Sequence, residues 1–168
     1  MKKFFALLLT LSLLCCAALA ESTGLTSVVL PLPEGAEIVQ NYADESYYGA
    51  QIRKDGVADV MLIVAPSEIY ADKSLSELSD DELAELTELI MEDMAAESTY
   101  TLETTPSGNQ YLMIRERGEG NSNVILTVYR GYFIQLTQFN EDFSELTDAD
   151  EAFLLDLFHA LDIPADAA

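Results

Sequence analysis

The amino-acid sequence predicts an α+β domain, mostly antiparallel sheet with two main helices packed on it, a layout that can close as an α/β/α sandwich. Three observations carry this. Short apolar or β-branched runs recur between Gly, Pro and Asp turn signals. Two segments have a helical apolar period, each preceded by a capping residue. No internal repeat, coiled-coil heptad or low-complexity tract competes with them.

The chain opens M-K-K, runs apolar from Phe4 to Leu14 and reaches A-L-A at Ala18 to Ala20, the pattern of a secretory signal peptide over residues 1–20. That run is shorter than the roughly 20 residues a membrane span needs, and no second one follows. Cleavage near Ala20 would release a secreted or extracytoplasmic chain. Lipid anchoring at Cys16 is the alternative, although Leu13, Leu14 and Cys15 fit its small-residue pattern poorly. Both cysteines lie in this segment, so the remaining chain is expected to fold without disulfides. Removing 20 of 168 residues leaves 148, the size of one domain with one core. Residues 21–26 read as a linker, 27–163 as that domain and 164–168 as a tail.

A first strand is expected at Ser27 to Leu30, ended by Pro31, Pro33 and Gly35. Tyr47 to Arg53 and Ala58 to Ala65 follow as a hairpin turned at Asp55 and Gly56. The continuous run Val60 to Val64 predicts a strand buried on both faces. A helix comes next, from about Asp80 to Ala96. Ser79 caps it, Glu82 closes the capping box, Leu78 can staple onto Leu83, and Leu83, Leu86, Ile90 and Met94 form its apolar stripe. Its outer face stacks Asp81, Glu85, Glu88 and Glu92, at a cost of about 1 kcal/mol in like-charge pairs. Four buried apolar side chains, at roughly 1.5–3 kcal/mol each, outweigh that without a bound cation.

Strands are then expected at Tyr100 to Thr104, Tyr111 to Arg117, Val124 to Tyr129 and Tyr132 to Phe139. A two-residue loop at Arg130 and Gly131 would place Tyr129 opposite Tyr132, and neither face of that hairpin is clearly polar, so both should be covered at least in part. The last helix runs from about Asp148 to Leu161, capped by Thr147, with Leu154, Leu157, Phe158 and Leu161 inward and Pro164 beyond its end.

Thirty acids face eight bases, a net charge of -22 that becomes -24 once Lys2 and Lys3 are removed. Such a field repels phosphate backbones and anionic lipid surfaces, so nucleic acid is not an expected partner. Solubility outside the cell explains the excess without a dedicated cationic partner.

Taken in order, the early L-P-x-P-E-G, the hairpin, the acidic-capped helix, the antiparallel strands with Y-R-G-Y-F-I-Q-L-T-Q-F and the closing L-F-H-A-L-D-I resemble the PsbP-like fold across residues 27–163. That family's α/β/α sandwich occurs in small exported bacterial proteins, an extrinsic photosystem subunit and a Ran-binding nuclear transport factor. The resemblance implies a non-enzymatic partner-binding module. No binding motif of those relatives stands in this chain, so it carries over no functional residue.

Chemistry has few candidates. The chain past residue 20 has no cysteine, its only histidine is His159, and no G-x-S-x-G elbow occurs. His159 is three residues from both Asp156 and Asp162, which predicts a surface histidine held by carboxylates. G-E-G-N-S-N at 118–123 lacks the third glycine of a dinucleotide fingerprint and the lysine of a P-loop, and it joins two strands. With so many acids, some carboxylate pair will match a glycosidase spacing by chance, so a carboxylate-based hydrolase is a third-ranked reading. Zinc lacks its nitrogen and sulfur ligands. Asn140, Asp142, Ser144, Asp148 and Glu151 fall on places one, three, five, nine and twelve of a calcium loop, but place six is Glu145 where glycine is required. The same stretch also reads as a turn in which Thr147 and Asp150 cap the last helix while Asp148 and Glu151 complement its dipole.

The sequence therefore predicts an exported, acidic, non-enzymatic domain without cofactor or metal that binds a protein or a small ligand. A calcium-responsive acidic domain is the alternative. Tyr129 and Tyr132 are the candidate recognition surface if a groove lies beside them, and core otherwise. A monomer is the simplest expectation.

Overall fold

Seven strands form one antiparallel sheet in the computed structural model, which describes residues 31–161 apart from 44–46, 72, 93, 96, 119 and 143. The strands are β1 (Ala36–Ala43), β2 (Tyr48–Lys54), β3 (Val60–Pro66), β4 (Thr99–Thr104), β5 (Gln110–Glu116), β6 (Ser122–Tyr129) and β7 (Tyr132–Phe139). Two helices accompany them, α1 (Asp80–Glu92) and α2 (Asp148–Ala160), with a single 3-10 turn at Leu75–Glu77 before the first. The order across the sheet is β1-β2-β3-β7-β6-β5-β4. The α+β class follows as expected. The signal peptide, the linker, the strand expected at Ser27 to Leu30, Ile163, Pro164 and the tail lie outside the described residues. Among the described residues no helix is long and apolar enough to cross a membrane.

Local signals explain most elements. Ser79 starts α1: its backbone N–H donates to Glu82 at 2.9 Å, and its hydroxyl accepts from the Glu82 N–H at 3.3 Å. Glu82 also takes Lys73, and its carboxyl is drawn down to about 2, first by the Lys73 ammonium and then by the Ser79 N–H and hydroxyl. Between β6 and β7, Arg130 (φ 49) and Gly131 (φ 79) both lie in the left-handed region, as a two-residue hairpin loop of matching twist requires. Tyr129 stands opposite Tyr132.

The helices cover opposite faces of the sheet. Phe153, Leu154, Leu157 and Phe158 of α2 bury Ile52, Val60, Leu62, Met113, Ile125 and Leu136. Leu86 and Ile90 of α1, with Leu75, bury Leu112, Ile114, Val124, Leu126, Val128 and Phe133, and Leu83 and Met94 pack against this second cluster in part. Accordingly β6 and β7 are buried on both faces.

β3 departs from expectation. Val60, Leu62 and Val64 are buried under α2, but Met61 and Ile63, on the other face, are only half-buried. The α1 cluster draws its sheet residues from β5, β6 and β7 and stops short of β3. β1 is an element the sequence reading did not anticipate. Its register against β2 shifts between Ile38 and Gln40, a bulge that breaks the apolar alternation, and nearly all of it is exposed at the sheet edge.

Candidate functional site

The C-terminal end of α2 meets the β4–β5 turn and the β6–β7 hairpin around a small cavity. Tyr129, Thr105, Asn109, Thr127, Phe158 and His159 are among its walls, and it encloses about 30 Å³, room for one water. Its threonines are bound to neighbouring groups. The Thr127 hydroxyl donates to the Gln110 carbonyl at 2.7 Å, and Thr105 shares a 2.9 Å bond with Ser107 while accepting from the Asn109 N–H at 3.0 Å. A recess therefore does lie beside Tyr129, whose ring also carries the Arg130 guanidinium 5.6 Å from its centre. Both tyrosines pack in part against the apolar cluster under α2, and Tyr132 is not among the walls of this recess. The two tyrosines are adjacent in register without lining one groove.

His159 corrects an expectation. It is half-buried, its Nε2 has no hydrogen-bond partner, and its ring lies 6.2 Å from Phe158 and 6.4 Å, edge-on, from Tyr111. Asp156 faces solvent and Asp162 lies outside the described residues. The last turn of α2 rotates the imidazole onto the sheet, because Leu157 and Phe158 anchor that turn in the core. Beside it the Tyr111 hydroxyl donates to Glu103 at 2.9 Å, and burial followed by that carboxylate pushes the phenol up to about 12. Tyr111 therefore stays protonated at neutral pH.

Four of the five residues matching a calcium loop are committed to protein groups. Asn140 turns its amide N–H groups inward to Ser144 and Glu145, and Asp142 accepts from the Ser144 N–H at 3.0 Å, which with the Ser144 hydroxyl holds its carboxyl below the ordinary value. Asp148 is exposed on the first turn of α2. Glu151, at the place of the bidentate ligand, is held by Arg115 Nε and Nη2 at 3.0 and 2.5 Å, and this guanidinium keeps its carboxyl low against the effect of burial. Among the described residues no three acids or histidines gather as a cation site. The expected result is a melting temperature in millimolar calcium equal to that in magnesium at matched ionic strength. A calcium-specific rise, which reaches about 2.7 kcal/mol at 100 times the dissociation constant, would restore the calcium reading.

What the sequence reading missed is the character of the sheet edges. At one edge β1 exposes Ile38, Val39 and Tyr42. At the other β4 reads T-Y-T-L-E-T, with Tyr100 48% and Leu102 44% exposed. The run was legible as a strand, and its lack of Lys and Pro was visible, but its place at an edge depends on which strands pair. No family model matches the chain, and no curated protein matches it either.

Proposed function

We propose that this chain is an exported, acidic, non-enzymatic domain that binds a protein partner through its sheet edges. One observation carries the reading: both edge strands leave large apolar side chains in water beside backbone groups that no described strand pairs, an arrangement that invites pairing with another chain. The cavity by Tyr129 and His159, with room for one water, favours a protein over a small organic ligand. The element order, with α1 and α2 on opposite faces of an antiparallel sheet, is what a PsbP-like module would have and supports that resemblance.

Immobilised protein should retain a defined partner from an extracytoplasmic fraction. A double variant, Ile38→Lys with Leu102→Lys, should release it. Equal retention by an unrelated domain of matched charge, or turnover of a screened substrate with no partner retained, would count against the proposal.

A further inference from the structure

The two edges are not equivalent, and the difference points to one of them. β1 carries a bulge, which twists an edge away from pairing, whereas β4 keeps an unbroken register with β5 from Thr99 to Thr104. The β4 edge also has no proline and no lysine among its six residues, and Glu103 is its one charged side chain. Its six residues offer about 20 Å of regular edge.

The two faces of β4 differ in chemistry. Tyr100 and Leu102, aligned with Ile114 and Leu112, lie on the α1 face, where Tyr100 stands beside Thr87, Ile90 and Met91 of α1. Thr101 and Glu103, aligned with Met113 and Tyr111, lie on the α2 face. Glu103 is half-buried, receiving the Thr101 hydroxyl at 2.7 Å and the Tyr111 hydroxyl at 2.9 Å, and Glu97 stands exposed at the entry to the strand.

The bases of the described region are committed elsewhere: Arg53 to Asp59, Lys73 to Glu82 and Arg115 to Glu151, with Arg117 on Asn123, Lys54 over the Phe153 ring and Arg130 over the Tyr129 ring. We propose that β4 is a docking edge that accepts an extended basic segment of a partner as an eighth strand, apolar side chains on the Tyr100–Leu102 face and lysines or arginines on the Glu103 face. This rests on the partner-binding reading above and names its site and its chemistry.

The occupant follows from charge and periodicity. Backbone pairing supplies affinity to any extended chain, and alternate side chains supply selectivity. A net charge of -22 on each copy opposes self-pairing and draws a cationic segment. Alternation is required because successive side chains of the added strand meet the Tyr100–Leu102 face and then the face that carries Glu103.

The test uses the purified protein and two fluorescent peptides of identical composition, one alternating lysine and valine, the other with lysines and valines in separate blocks. Anisotropy at physiological salt should show the alternating peptide binding about tenfold more tightly than the block peptide. Leu102→Lys should abolish that preference, whereas Ile38→Lys, with the same change in charge at the other edge, should keep it. Hydrogen exchange should show β4 amides gaining protection with the alternating peptide.

Equal binding of both peptides, or equal loss in the two variants, would overturn the proposal in favour of bulk charge attraction. Concentration-dependent dimers that Leu102→Lys dissolves would make a second copy the occupant and overturn it too. If the peptides fail while the envelope partner is still retained, the partner-binding reading survives with its site elsewhere. Failure of both removes the two together.

Discussion

Replacing Leu136 by alanine is expected to cost the fold about 2–5 kcal/mol, a large share of the roughly 5–15 kcal/mol that holds a domain of this kind together. Leu136 is 0% exposed and sits on β7 between Leu62 of β3 and Ile125 of β6, beneath the core-facing side of α2. Removing its isobutyl group opens a cavity in a region where strands on both sides and a helix above limit collapse. The cost should appear in urea unfolding as a lower midpoint at unchanged slope. Leu102→Ala, at the exposed edge, is the control and should lose less than about 1 kcal/mol. A loss at Leu136 no larger than at Leu102 would show that the α2-side cluster is not the main core.

The second large effect is expected at Asp150, which is 4% exposed. Its carboxylate accepts three bonds: from the Thr147 N–H at 2.7 Å, the Thr147 hydroxyl at 2.6 Å and the Ala58 N–H at 2.6 Å. The first two are half of a capping box, completed when the Asp150 N–H donates back to Thr147. The third ties the start of α2 to the β2–β3 hairpin, where Ala58 is itself buried. Asp150→Ala removes the cap acceptor and leaves a buried N–H without a partner, together about 2–4 kcal/mol.

The same carboxylate should leave a signature in pH. Burial pushes it up, but the Thr147 hydroxyl and the Ala58 and Thr147 N–H groups outweigh burial and hold it below the ordinary aspartate value. A carboxyl held lower in the folded state than in the unfolded contributes stability fully above the unfolded value, about 4, and loses it as pH falls through the folded one. Asp59 and Glu151, drawn down by Arg53 and Arg115, act in the same direction. Unfolding free energy should therefore decline below about pH 4, and Asp150→Asn should flatten part of that decline. An unchanged slope in the variant would remove Asp150 from the account.

Asp150 also shows how far a sequence can be read. Its place three residues beyond Thr147 marks it as part of a cap, because that geometry lies within one turn of chain. Its bond to Ala58 is invisible until the hairpin and the helix are brought together. Glu151 shares this history: a residue that complements a helix dipole by position proves to be bound to Arg115, 36 residues away. His159 departs from the expectation, since helical spacing placed it among acids whereas its ring lies beside Phe158 and Tyr111. β1 escaped notice because its bulge interrupts the alternation that marks a strand and because exposure at an edge removes the need for apolar residues there.

By itself the sequence determined what is decided within a few residues: the caps at Ser79 and Thr147, the two-residue turn at Arg130 and Gly131, the periods of the helices and most strands, and a strongly acidic charge. Only the tertiary structure decided that β3 lies beside β7, that α1 covers β5 to β7 and leaves Met61 and Ile63 half-bare, and that β1 and β4 are the edges. The physical reason is range. Caps and turns are hydrogen bonds between near neighbours in the chain, whereas strand order is settled by which distant apolar faces bury one another best, and that choice selects the edge left open to a partner.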